Sequence, residues 1–225
     1  MSVWHVYGQW IVVTVMLAVV LFASAGRVDV PMFWVYFVVH SGAQLAISLV
    51  VFRRNHDLLE ERRRPGEGAK AWDRIILRIY FLLTLALFVL AGLDVGRFHW
   101  SDTVPLWGRV AALLGFALSF AFNIWAMVVN NFYSQVVRIQ QDRRQYVVTE
   151  GPYRYVRHPS YIGSILSWVC AALALGSWLA LVPVVLIAAT FTVRTALEDR
   201  ALQEELAGYK EYARRVRYRL LPGIW

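Results

Sequence analysis

The sequence predicts an all-α protein: a polytopic membrane bundle of about six spans, the last two a short helical hairpin, with a cytosolic C-terminal helix. Two observations predict it. Of the 225 residues, 59% are hydrophobic and 15% aromatic, and the mean hydropathy is +0.49, too apolar for a soluble domain of this length. The apolar residues also fall in six runs, each long enough or nearly long enough to cross about 30 Å of bilayer hydrocarbon.

The runs lie at roughly 10–25, 32–52, 75–93, 104–129, 161–175 and 178–193. The first ends in "ASAG", as a secretory leader would, but "MSVWHVYGQW" before it has no Lys or Arg, so it is read as a retained helix. Only Gly176 and Ser177 separate the last two, which predicts a tight hairpin whose short members sit tilted or shallow. In the polar break "HDLLEERRRPGEGAKAWDR", Pro65 and Gly66 mark a turn between two short amphipathic pieces. From Asn130 on, polar residues become dense, so the chain divides into N-terminal transmembrane helices, 1–130, and a core that carries the chemistry, 131–225. In the tail, Leu197, Ala201, Leu202, Leu206, Tyr209, Ala213 and Val216 recur at three- and four-residue steps. That spacing predicts one amphipathic helix continuing the sixth span.

The formal charge of +8 is unevenly placed. Arg53, Arg54, Arg62, Arg63, Arg64, Lys70 and Arg74 lie between the second and third runs; Arg138, Arg143, Arg144, Arg154 and Arg157 lie between the fourth and fifth. Arg194, Arg200, Lys210, Arg214, Arg215, Arg217 and Arg219 follow the sixth, while the connections on the other side hold only Arg27 and Arg97. The positive-inside rule then puts both termini in the cytoplasm. These charges flank spans, so their expected partners are anionic lipid headgroups and not nucleic acid. Cys170 lies in an apolar span as a packing residue, and a single cysteine forms no disulfide within the chain.

Chemistry concentrates in "GPYRYVRHPSY", residues 151–161, at the entrance to the fifth run. Pro159 suits the first turn of a helix, which makes His158 the cap. The helix's free N–H groups and positive end, beside Arg157, would attract a carboxylate or phosphate. Tyr153, Tyr155 and Tyr161 add rings for a heterocycle or an acyl groove, although snorkelling arginines in an interfacial aromatic belt have the same composition. Arg194 and Glu198, four apart, share a helix face at the end of the sixth run. The hairpin brings them level with Arg157 and His158, forming one site for a zwitterionic or aromatic ligand with access to lipid.

Other motifs are weaker. "GEG" at 66–68 has no strand before it, and His5, His40, His56, His99 and His158 have no metal-ligand spacing, so no metal is expected. His40, Ser41 and Gln44 read as an interhelical hydrogen-bond cluster. Tyr209 and Tyr212 read as packing of the tail helix, with closure of the pocket as the alternative.

"GPYRYVRHPSYIG" followed by "RTALEDRALQEELAGYKEYARRVRYRLLP" resembles the C-terminal half of the isoprenylcysteine carboxyl methyltransferase family, which is similar in turn to the membrane phospholipid N-methyltransferases. The resemblance covers about residues 130–222. It implies S-adenosyl-L-methionine as methyl donor, held by Gln145, Tyr146, Val147, Val148, Tyr153, His158, Pro159, Ser160, Tyr161 and Glu198. Arg194 is implied to face the methyl acceptor, a lipophilic molecule entering from the bilayer, with the donor entering from the cytosol. The reaction needs little side-chain catalysis: a sulfonium methyl is already electrophilic and a carboxylate already ionised at neutral pH, so positioning and desolvation carry the rate. An amine or thiol must first lose a proton, which would call on His158 or a water. With no dedicated base in view, a carboxylate such as that of an isoprenylcysteine is the expected acceptor, and a phospholipid amine the alternative.

The chain departs from the eukaryotic pattern at Arg138, where glutamine is usual and where a contact with substrate is expected, and at Gln145, in place of histidine. About six spans in one chain suggest a prokaryotic relative in the inner membrane. A rival is the sterol-type membrane reductases, which have an H-P-x-Y element and a tail like "VRYRLLPGIW" and would imply NADPH. Ser160 and Ser164 depart from their pattern. A non-catalytic scaffold would leave the Arg194 and Glu198 pair unexplained.

Overall fold

The computed structural model describes residues 3–54 and 66–225. Among these, seven α-helices follow one another with no strand: α1 (Val3–Ala25), α2 (Pro31–Arg54), α3 (Ala71–Gly92), α4 (Leu106–Val129), α5 (Pro159–Leu175), α6 (Leu181–Glu205) and α7 (Tyr209–Arg215). A π-helical segment, Leu93–Phe98, prolongs α3. The apolar parts of α2, α3, α4 and α6 are long enough to cross a membrane; α5 and the Trp10–Ala25 part of α1 are shorter apolar helices. The expected polytopic helical bundle is therefore present. The turn expected around Pro65 lies in part outside the described residues.

The helices follow from the sequence. Pro31, Pro159 and Pro183 all fall in first turns, where a proline removes no intrahelical hydrogen bond. Leu21, Phe33, Tyr36, Leu87, Phe88, Phe116 and Leu175 are buried at the centre. Around them, Val12, Val38, Leu82, Leu114, Leu118 and Val185 remain exposed, as suits a surface facing lipid. The α4 and α5 helices pack along their length, α1 lies against α3, α3 against α6, and α2 against α4.

Two glycines one turn apart permit the α1 and α3 contact. A Cβ on Gly92 would lie 2.5 Å from the Leu21 carbonyl oxygen, and one on Gly96 would lie 2.4 Å from the Ala25 Cβ. Small residues at this spacing let helix backbones approach closely.

The α5–α6 hairpin turns at Gly176, whose φ of 89° is in the left-handed region. Asp94, fully buried, fastens this turn: Ser101 and Ser177 both donate to its Oδ2. Those serine oxygens in turn accept the N–H groups of Trp178 and Ala180 at 3.1 and 3.0 Å.

Two expectations are corrected. The tail is not one continuous helix: α6 ends at Glu205, Leu206 is extended, and Gly208, at φ 81°, starts the separate α7. The break lets the chain fold back, so that the Tyr218 and Arg219 carbonyls accept the N–H groups of Arg157 and His158, both at 3.0 Å. Leu206, Tyr209 and Tyr212 bury their apolar face against Val147 and Leu202. His40 is not part of a hydrogen-bonded cluster with Ser41 and Gln44. Its ring lies among Tyr36, Phe37, Phe116 and Phe120, and its Nδ1 has no hydrogen-bond partner.

Gly96→Ala should lower stability by about 1–3 kcal/mol, because α1 and α3 must separate to admit the methyl group. Gly42→Ala, where a Cβ would meet nothing within 4 Å, is the control and should be neutral or stabilising. Thermal unfolding in detergent micelles measures both.

Candidate active site

The segment linking α4 to α5 has little regular structure, and its shape comes from side chains bonding to main chain. The Asn130 Oδ1 accepts from the Phe132 N–H at 2.9 Å, Gln140 Nε2 donates to the Phe132 carbonyl at 2.7 Å, and Gln145 Oε1 accepts from the Gln140 N–H at 2.7 Å. Asp73 on α3 accepts the Val137 N–H at 2.7 Å, which ties the segment to the bundle. Each bond satisfies a main-chain group that a helix or sheet would otherwise have paired.

Two buried ion pairs hold the hairpin's polar end. Arg157 grips Asp199 in bidentate fashion, Nε to Oδ1 at 2.7 Å and Nη2 to Oδ2 at 3.0 Å, and its Nη1 donates to the Val216 and Arg217 carbonyls at 2.7 and 2.9 Å. Arg219, Gln203 and the Tyr209 hydroxyl also donate to Asp199, and His158 Nε2 lies 3.4 Å away. Arg194 grips Asp73 in the same way, at 2.7 and 3.1 Å, and its Nη2 also donates to the Gln135 carbonyl at 2.8 Å. Both aspartates are fully buried. Burial raises the Tyr153 and Tyr209 phenols well above their ordinary range, helped at Tyr209 by the Asp199 charge, so both stay protonated at neutral pH. Tyr209 donates to Asp199, and the Tyr153 hydroxyl accepts from Asn130 Nδ2 at 3.1 Å.

Above these pairs lies a layered arrangement. The His158 and Tyr161 rings stack with centroids 5.9 Å apart and planes 14° apart, and the Arg194 guanidinium carbon lies 5.4 Å from the Tyr161 centroid. Tyr161 donates its hydroxyl to Glu198 Oε2, and His158 Nδ1 is 3.8 Å from the same oxygen. The two ends of the hairpin therefore meet.

A cavity of about 510 Å³ opens over this layer, within the range of about 300–1,000 Å³ usual for small-molecule sites. Gln145, Tyr146, Val147 and Val148 line it on one side, Tyr153, His158, Ser160 and Tyr161 on another, and Arg194 and Glu198 on a third. Arg138 lines it too, paired with Asp142 at 3.0 Å. Glu198 is the only carboxylate among the described lining residues, and none of them places an arginine within ion-pair distance of it.

Residues 107–207 match the family model described as phospholipid methyltransferase. That match supports a membrane methyltransferase. It begins at the second residue of α4 and takes in both members of the hairpin, with His158, Arg194, Glu198 and Asp199, and it ends just before Gly208. A comparison with curated proteins finds no match.

Several sequence expectations change on this geometry. Arg157 offers no guanidinium edge to a ligand, because Asp199 and two carbonyls occupy it. Arg194 keeps only Nη1, its Nε and Nη2 being held by Asp73 and Gln135. Pro159 is buried as the first residue of α5 and is not among the lining residues, and Tyr155 is exposed away from the cavity. The cap at His158 is not an open nest of N–H groups either, since Tyr161 N–H returns to the His158 carbonyl at 3.2 Å. Tyr209 and Tyr212 do line the cavity, and Tyr212 donates to the Tyr153 carbonyl at 2.8 Å.

Sequence reading missed Asp73 and Asp199, and also Tyr80 of α3, which lines the cavity. The one signal for them was that Asp73 and Asp199 stand beside apolar runs on a chain rich in arginine.

Asp199→Ala would leave Arg157 buried without its carboxylate, a loss of about 3–5 kcal/mol. The stretch after Gly208 should then be cut much faster in limited proteolysis. Asp142→Ala, at an exposed pair partner, should leave the cleavage pattern unchanged.

Proposed function

We propose that this protein is an S-adenosylmethionine-dependent methyltransferase acting on a lipophilic acceptor at the membrane boundary. One observation carries the reading. Among the described lining residues the three arginines are each paired with an aspartate, whereas Glu198 is hydrogen-bonded only by the Tyr161 phenol. The His158 imidazole is 3.8 Å away, and the field of Arg194, itself held by Asp73, acts from beyond ion-pair distance. A cavity with one such carboxylate favours a ligand with net positive charge. S-adenosylmethionine, with sulfonium, ammonium and carboxylate groups, has that charge.

The residues present fit it. Glu198 would face its cationic part, the Tyr146 and Tyr153 rings with Val147 and Val148 offer surface for a heterocycle, and main-chain groups of residues 145–148 offer donors and acceptors. Bound there, S-adenosylmethionine supplies a methyl group that is electrophilic without further activation. The protein's part is to orient and to exclude water: Tyr161 fixes the Glu198 carboxylate, Asp73 fixes the Arg194 guanidinium, and Tyr209 and Tyr212 wall the cavity from α7.

For an isoprenylcysteine-like carboxylate, Arg194 Nη1 is the anchor. A second reading, methylation of a phospholipid amine, is favoured by the Asp73 partner, which cancels the arginine charge that would draw an anion, and by the description of the matching family. In that case Glu198 or His158 takes the amine's proton.

Calorimetric titration of the purified protein should detect S-adenosylhomocysteine and not NADPH, and Glu198→Gln should weaken it by about 1.5–3 kcal/mol, roughly ten- to hundredfold. Binding of NADPH alone would reverse the reading in favour of a reductase. Methyl transfer to a prenylcysteine and to phosphatidylethanolamine, compared in wild type and in Arg194→Lys, decides the acceptor. A carboxylate acceptor predicts a loss in kcat/KM of roughly tenfold or more from the altered anchor, larger than for the amine.

A further inference from the structure

Below the first cavity lies a second of about 480 Å³, between α1, α2, α4 and α5 at the depth of the apolar helices. Tyr80, Tyr133, Gln135 and Ser164 line both, so the two chambers adjoin. The second has no Asp, Glu, Lys or Arg among its described lining residues. It is nevertheless not purely apolar. His40 and Asn123 line it, 7% and 9% exposed, and His40 Nδ1 and Asn123 Oδ1 are buried with no hydrogen-bond partner. A third lining residue, Trp10, has its Nε1 in the same state.

An unpaired polar group in a membrane interior is unfavourable, and protein interiors rarely leave one so. Three around a single chamber describe a recognition surface. Indole Nε1 is only a donor, a carboxamide oxygen only an acceptor, and a histidine nitrogen is either, depending on its tautomer. The complementary ligand presents both a donor and an acceptor, carries no charge, and is otherwise largely apolar, since Val13, Ile47, Phe116, Phe120 and Met127 supply much of the remaining wall, with Gln44, Ser48 and Ser167 among them. A hydroxyl or a secondary amide meets this description. A plain hydrocarbon chain does not, and neither does a carboxylate or phosphate, for which the chamber has no cation.

We propose that this chamber binds the tail of the methyl acceptor and selects a tail bearing one uncharged hydroxyl or secondary amide, held by His40, Asn123 and Trp10. The reactive end then passes Tyr80 and Ser164 into the first cavity. This rests on the methyltransferase reading for the word acceptor, while the chamber's ligand chemistry rests on its own walls.

The test has two parts. Nitrogen NMR of histidine-labelled protein in bilayer discs, with the His40 signal assigned through His40→Phe, is recorded with decanol, N-methyldecanamide and decane. The alcohol or the amide should shift the His40 resonance, and decane should not; equal spectra with all three overturn the proposal. In methyl transfer, an acceptor with a hydroxylated or amide-bearing tail should exceed its plain alkyl counterpart by roughly tenfold or more in kcat/KM. His40→Phe and Asn123→Leu should abolish that preference while leaving S-adenosylhomocysteine binding unchanged, which also shows that the variants fold. Homocysteine adduct binding with no tail preference and no His40 shift defeats the chamber and spares the methyltransferase. A His40 shift without binding of the adduct defeats the methyltransferase and spares the chamber.

Discussion

A guanidinium is tolerated inside a protein at the edge of a bilayer only when a carboxylate neutralises it and oxygens meet its N–H groups. Arg157 with Asp199 and Arg194 with Asp73 meet this condition, and the polar end of the molecule is arranged around them. The first pair joins the start of α5 to α6 and to the returning tail, and the second joins α6 to α3 and to the linking segment. Five stretches of the chain are thereby fixed to one another before any ligand arrives.

Because the arginines are neutralised from behind, the cavity's charge is set by what remains. Glu198, held by Tyr161 and near His158, becomes the dominant electrostatic feature, although the chain as a whole has a formal charge of +8. Net charge describes how the chain meets the lipid surface; the charge presented to a ligand depends on which side chains are already paired.

The helices were legible because an apolar run of bilayer length suits almost nothing except a membrane span, and the meeting of His158 with Glu198 followed from a hairpin whose turn is marked by Gly176. The partners of the arginines were not. Asp73 stands in the first turn of α3, where an acidic residue ordinarily serves the helix dipole, and Asp199 stands in "LEDR", which looks like a solvated face. The break at Gly208 was hidden because the apolar periodicity runs across it: the same residues that would line a continuous helix instead close on Val147 and Leu202. The segment from Asn130 to Gln145 was opaque for a further reason, that its shape comes from individual side chains bonding to main chain, a pattern without a period.

Asp73 and Asp94 fasten opposite ends of the α5–α6 hairpin, and both stand on α3 and its π-helical extension. At the rise of a helix they are roughly 30 Å apart, about the thickness of the hydrocarbon layer. This one rod therefore acts as a gauge, setting how far the turn lies from the cavity. Removing a single residue between the two aspartates would swing one fastening about 100° around the axis relative to the other, so α3 should accept changes of side chain far more readily than changes of length.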